Sequence, residues 1–154
     1  MKFGDVVTAV ASVVLIYTVL DFVFLGVFVP VNSYYALDIA GIISILFASL
    51  IVGYVFALKI QEESRRGAIS KIAVLSAVVL MFALMAFFTN PYMSMALNEG
   101  LESMFSTGGW TTWDWVAYSQ IVLVMMVALN GVLALVFGFI GLYAGSMLRK
   151  PKKT

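Results

Sequence analysis

The 154-residue chain has no cysteine and no histidine, only three prolines, and charged residues at just 11% of positions. Without cysteine there is no disulfide, no thiol redox chemistry and no thiolate metal site. Without histidine there is no imidazole ligand, no axial histidine for haem and no Ser-His-Asp triad. Charge is scarce as well as balanced, with nine basic and eight acidic residues and a formal net charge of +1. Nucleic acid is therefore not an expected partner.

What the chain has instead is apolar surface. Hydrophobic residues make up 63% of it, against roughly 45–50% in an ordinary soluble domain. Long apolar runs divide the sequence into four expected crossings, at 6–28, 37–58, 70–89 and 115–147. Each meets the requirement of about 20 residues for the hydrocarbon core, and the fourth exceeds it. Pro30 closes the first, Lys59 begins the charged stretch after the second, and Asn90-Pro91 resists continuation of the third. The expected fold is all-α: a four-transmembrane-helix bundle, 1–154, forming a single integral membrane domain. The first run is too long for a signal-peptide core and no small-residue cleavage site follows it, so it reads as a retained anchor.

All nine basic residues fall on one side of this layout. They are Lys2, then Lys59, Arg65, Arg66 and Lys71 around the 2–3 loop, then Arg149, Lys150, Lys152 and Lys153 in the tail 148–154. The positive-inside rule places both termini and that loop in the cytoplasm, in a membrane expected to be a prokaryotic cell membrane. The basic tail is expected to touch anionic lipid headgroups.

Small residues mark where helices can approach closely in lipid. Gly131, Ala134, Gly138, Gly141 and Gly145 form one stripe at spacings 3, 4, 3 and 4, and Ser49, Gly53 and Ala57 form another at spacing 4. Both are expected to be packing seams, against each other or against another copy.

Asp21 is the one acidic residue well inside an expected span. An ionisable group at such depth costs about 2.5–3.5 kcal/mol on insertion scales, which marks it as a functional candidate. Counting 1.5 Å per residue from the span ends brings Ser44 and Asn130 to about its level, with Thr18 and Tyr17 a turn below. Three roles are open to this layer: a hydrogen-bond clamp from a protonated Asp21 to Asn130, a proton or cation site, or a socket for a partner's charged group.

The outer loop 90–114 repeats Met93, Leu97, Leu101 and Met104/Phe105 on one helical face, the pattern of a short amphipathic helix lying in the interface. Trp110, Trp113 and Trp115 follow, as an aromatic belt or as an outer docking surface. Thr111 and Asp114 have capping-box spacing ahead of the fourth span.

The residues supply no catalytic, cofactor-binding or metal-ligating constellation, so the expectation is a chain that is not an enzyme and carries no cofactor. Three small four-span families share the outline without matching it. Small multidrug transporters place a carboxylate in the first span, but a Glu rather than Asp21, and they lack a large outer loop. Quinone-linked disulfide enzymes need cysteines. Claudin-like proteins pair their tryptophan motif with cysteines in the first loop. The leading expectation is a non-catalytic membrane subunit or assembly factor, in contact with lipid and with other membrane subunits or copies of itself. The alternative is a small oligomeric proton- or cation-coupled transporter or channel using Asp21.

Overall fold

A computed structural model describes residues 1–28, 35–61, 65–91, 95, 99 and 112–149. Every element among them is helical: α1 (Phe3–Phe28), α2 (Tyr35–Val55), α3 (Ala57–Gln61), α4 (Arg65–Phe88) and α5 (Thr112–Leu148). Three stretches are long and apolar enough to cross a membrane, Phe3–Phe24, Arg65–Phe88 and Ala117–Leu148, and Ile39–Val55 is a shorter apolar helix. The chain is thus an all-helical membrane protein by length and composition. With no water to satisfy the backbone in lipid, helices that bond internally are the form such a sequence must take.

The described residues gather into two compact units, one of residues 1–79 and 132–154, the other of residues 80–131. In the first unit, α1 starts with a half capping box. The backbone N–H of Lys2 donates to Asp5 Oδ2 at 3.3 Å, and Asp5 N–H donates back to the Lys2 carbonyl at 3.0 Å. Asp5 therefore satisfies one orphan donor and places negative charge in the first turn, where the helix dipole favours it.

α1 packs antiparallel to α2. The Lys59 ammonium meets Asp5 Oδ1 at 2.6 Å at one end, and further along, the Tyr17 hydroxyl lies against Gly41, 3.5 Å from where a Cβ would stand. Val6, Ala9, Val10 and Val13 of α1 and Ile45, Ala48 and Val52 of α2 are buried, as are Ile69, Ile72, Ala73 and Ala77 of α4. Each set recurs at three- and four-residue steps, so each helix commits one stripe to the interior and leaves the remainder to lipid.

The second expected crossing, 37–58, is interrupted at Phe56, where α2 ends and α3 begins. The reason lies 95 residues away in the sequence. Arg149 Nη1 donates to the carbonyls of Tyr54 at 3.2 Å and Val55 at 3.1 Å. In a continuous helix those oxygens would take the N–H groups of Leu58 and Lys59. Lys59 N–H turns instead to the Phe56 carbonyl at 3.0 Å, a three-residue closure, and the chain bends there.

In the second unit, Gly131 of α5 faces Met81 of α4, whose Sδ lies 2.5 Å from the Cβ a larger residue would carry. Leu80, Leu123 and Val127 are buried there. The expected amphipathic helix of the outer loop falls almost wholly outside the described residues. Pro91, Met95 and Glu99 are helical, while Trp110 and Thr111 are not described and Trp113 and Trp115 are known only as backbone of α5.

Candidate functional site

The two small-residue stripes meet, in part, across α2 and α5 of the first unit. A Cβ on Gly53 would run into the backbone of Leu142, and one on Gly145 into the carbonyl of Leu50. On Gly141 it would stand 2.6 Å from the Leu46 carbonyl and 2.8 Å from Ser49 Cβ. Gly138 is looser, with Ser49 Oγ at 3.5 Å. Residues on α5 pair with residues on α2 at a nearly constant offset, so these two helices run parallel with their backbones in contact. Ala57 is buried in α3, and Ala134 is partly buried. Gly131 belongs to the other unit.

The residues of the expected polar layer are placed differently from one another. Asp21 is partly buried on α1, one turn beyond Tyr17 toward the C-terminal end of that helix. Ser44 is fully buried on α2, one turn C-terminal to Gly41. Ser44 Oγ has no hydrogen-bond partner among the described residues, so no bond joins it to Asp21. Thr18 is exposed, and its hydroxyl is spent on the Val14 carbonyl at 2.8 Å. Asn130 lies in the second unit, where its Nδ2 donates to the Met126 carbonyl of its own helix at 2.9 Å. Tyr17 is the member of the set that reaches across to another helix.

Several hydroxyl groups turn back onto their own helix, and three buried ones do not. The exposed Thr8, Thr18 and Thr89 and the partly exposed Ser12 each donate to the carbonyl four residues back, at 2.8 Å, the usual way to satisfy a hydroxyl on a helix in lipid. Ser44, Ser49 and Ser76 are buried, and their Oγ atoms have no hydrogen-bond partner among the described residues.

A third feature lies at the basic end of the first unit. Arg65, at the start of α4, donates through Nε and Nη2 to Ser146 Oγ at 3.1 and 2.9 Å, and its guanidinium lies 5.6 Å from the Tyr143 ring centre. Ser146 in turn donates to the Tyr143 carbonyl at 2.8 Å. Arg149, three residues on, reaches to the end of α2 and lies 5.4 Å from the Tyr54 ring centre. Basic residues read from sequence only as orientation markers thus join α2, α4 and α5. The signal available in the sequence is the spacing Tyr143, Ser146, Arg149, one helical face ending in a cation.

The last feature is an open apolar groove of about 630 Å³ between α1 and α4, lined by Phe3, Val7, Val10, Ala11, Val14, Leu15 and Thr18 on one side and Leu75 and Val79 on the other. Along α1, Val7, Ala11, Val14 and Thr18 follow at spacings 4, 3 and 4, the seam period of a left-handed helix pair. Among the described residues no group of three or more acidic side chains is placed to hold a metal ion. No family model, curated protein or solved structure matches this chain.

Proposed function

We propose that this chain is a non-catalytic integral membrane subunit or assembly factor, crossing the membrane four times with both termini in the cytoplasm, and that its α1–α4 groove receives a transmembrane helix of a neighbouring subunit. The observation that carries this reading is the groove itself. Its α1 wall has the 4, 3, 4 spacing that matches an incoming helix, and Ala11 and Thr18 are small enough to let that helix approach. Leu75 and Val79, one turn apart on α4, supply the second wall. The glycine seam is spent inside the chain on the α2–α5 contact, which leaves the groove as the surface for a partner.

Native mass spectrometry after mild extraction from the source membrane tests the reading. The expected result is a reproducible mass containing unrelated companion chains, lost in Ala11→Trp while helicity and monomer solubility are kept. A wild-type monomer alone would sink it, and a pure homo-oligomer would replace the partner by a second copy. Because the chain has no native cysteine, Lys152→Cys and Asp114→Cys probe the orientation directly with a membrane-impermeant thiol reagent. The expected labelling of intact cells is at position 114 and not at 152.

A second reading, a proton- or cation-coupled oligomer, is favoured by one arrangement: Asp21 is partly buried one turn from Tyr17, whose hydroxyl reaches α2. It expects Asp21→Asn to fold and to abolish proton-coupled flux in reconstituted vesicles. Flux unchanged by that substitution, or no flux from the wild type, removes it.

A further inference from the structure

We propose that Arg65 and Arg149 form a binding site for the phosphate of an anionic phospholipid at the basic end of the helices. This goes beyond a general attraction of the basic tail to the membrane, because it rests on two guanidinium groups fixed in place by the fold.

Each arginine is anchored by part of its donor set, and the rest has no partner among the described residues. A guanidinium has five N–H donors in a planar fork. Arg65 commits Nε and one Nη2 donor to Ser146 Oγ, leaving Nη1 and the second Nη2 hydrogen. Arg149 commits Nη1 to the Tyr54 and Val55 carbonyls, leaving its Nε/Nη2 edge, the one that grips two oxygens of a phosphate at once. Among the described residues no carboxylate pairs with either group, whereas Lys59 nearby is engaged by Asp5. Each cation also lies over an aromatic ring, Arg65 at 5.6 Å from the Tyr143 centre and Arg149 at 5.4 Å from the Tyr54 centre, contacts that restrain it and lower the ordering cost of binding.

Both anchors involve the C-terminal end of α5: Arg65 is held at Ser146, and Arg149 stands three residues further along the same helix. The sequence around these arginines favours an anion: Arg66 and Lys71 follow Arg65, and Lys150, Lys152 and Lys153 follow Arg149, against Glu62 and Glu63 before Arg65. The surface beside the pair is apolar, with Val55 56%, Met147 54% and Leu148 65% exposed. A ligand with a phosphate on the arginines and hydrocarbon along these side chains satisfies both halves, and a phospholipid has that form. A soluble phosphate or an acidic peptide would leave the apolar half unused.

The test is lipid retention by the purified full-length chain in non-ionic detergent, titrated with phosphatidylglycerol, phosphatidylcholine or inorganic phosphate and read by native mass spectrometry. Phosphatidylglycerol is expected to bind about tenfold more tightly than phosphatidylcholine, with inorganic phosphate at millimolar concentration displacing little of it. Arg65→Gln should remove most of that preference, Arg65→Lys should restore part of it, and Arg66→Gln, the same charge change on an exposed neighbour, should leave it within about twofold. Equal retention of the two lipids by the wild type overturns the proposal. Equal losses from Arg65→Gln and Arg66→Gln overturn it in favour of diffuse charge, and full displacement by inorganic phosphate overturns it in favour of a free-anion site. The wild-type arms decide even where a variant fails to fold.

Discussion

The contact between α2 and α5 and the contact between α1 and α4 belong to one compact unit and use the same kind of apolar helix, yet one is closed and the other open. On α2 and α5, Gly53, Gly141 and Gly145 let backbone touch backbone. On α1 and α4, Val7, Val10, Val14, Leu75 and Val79 line an open groove instead. In lipid a larger apolar side chain gains nothing from helix association that it does not already gain from hydrocarbon, so closeness of packing decides which helices adhere. The chain adheres to itself along its glycines and leaves its bulkier face open.

The widest gap between the two contacts should appear at Gly145 and Gly53. A Cβ at either position meets backbone atoms, which cannot swing aside as the end of a side chain can. Overpacking of this kind costs about 1–3 kcal/mol for a single methyl and more for a larger group. Gly145→Ala should lower stability by that amount in a detergent-unfolding titration, and Gly145→Leu should fail to assemble at all. A normal unfolding midpoint for Gly145→Leu would mean that α2 and α5 are not in contact.

Next in size is the polar lock on the same seam. Arg149→Gln removes the donor that occupies the Tyr54 and Val55 carbonyls. With exposure discounting the charge, the expected loss is about 1 kcal/mol. The substitution also frees those oxygens for Leu58 and Lys59, so hydrogen exchange at these two amides should slow as α2 extends through Phe56. Faster or unchanged exchange would show that the bend has another cause.

Ala11→Trp on the open face should change the stability of the isolated chain by no more than about 0.5 kcal/mol, as exposed substitutions generally do, while removing its partner. The comparison would collapse if this variant were as unstable as Gly145→Ala.

Much of this architecture was legible in the sequence. Apolar runs locate the helices, and the spacing of Gly138, Gly141 and Gly145 marks a seam, because periodicity is a local property of the chain. Tertiary choices were less accessible. At the break at Phe56 the carbonyls of Tyr54 and Val55 are taken by Arg149, and nothing between residues 50 and 60 announces it. Counting residues from span ends puts Asp21, Ser44 and Asn130 in one layer, which spacing alone cannot check: Asn130 falls in the other unit and bonds to its own helix, and Ser44 Oγ has no hydrogen-bond partner among the described residues. Arg65 was read as a topological charge, and its anchoring to Ser146 depends on a contact 81 residues away.

The smallest expected effect is also the sharpest check on the closed contact. Gly138 lies on the same stripe as Gly141 and Gly145, so spacing alone treats the three as equal. Geometry does not, since the nearest atom to a Cβ at Gly138 is Ser49 Oγ at 3.5 Å, an ordinary contact distance. Alanine in a helix interior is favoured over glycine by about 0.8–1.0 kcal/mol through backbone entropy. With no clash to offset that gain, Gly138→Ala should be neutral or stabilising by up to about 1 kcal/mol in the same titration that penalises Gly145→Ala. Gly4→Ala, with open space around it, should behave likewise and serves as the reference. If Gly138→Ala instead loses as much as Gly145→Ala, α5 approaches α2 evenly along its length, and the seam does not begin to open at Gly138.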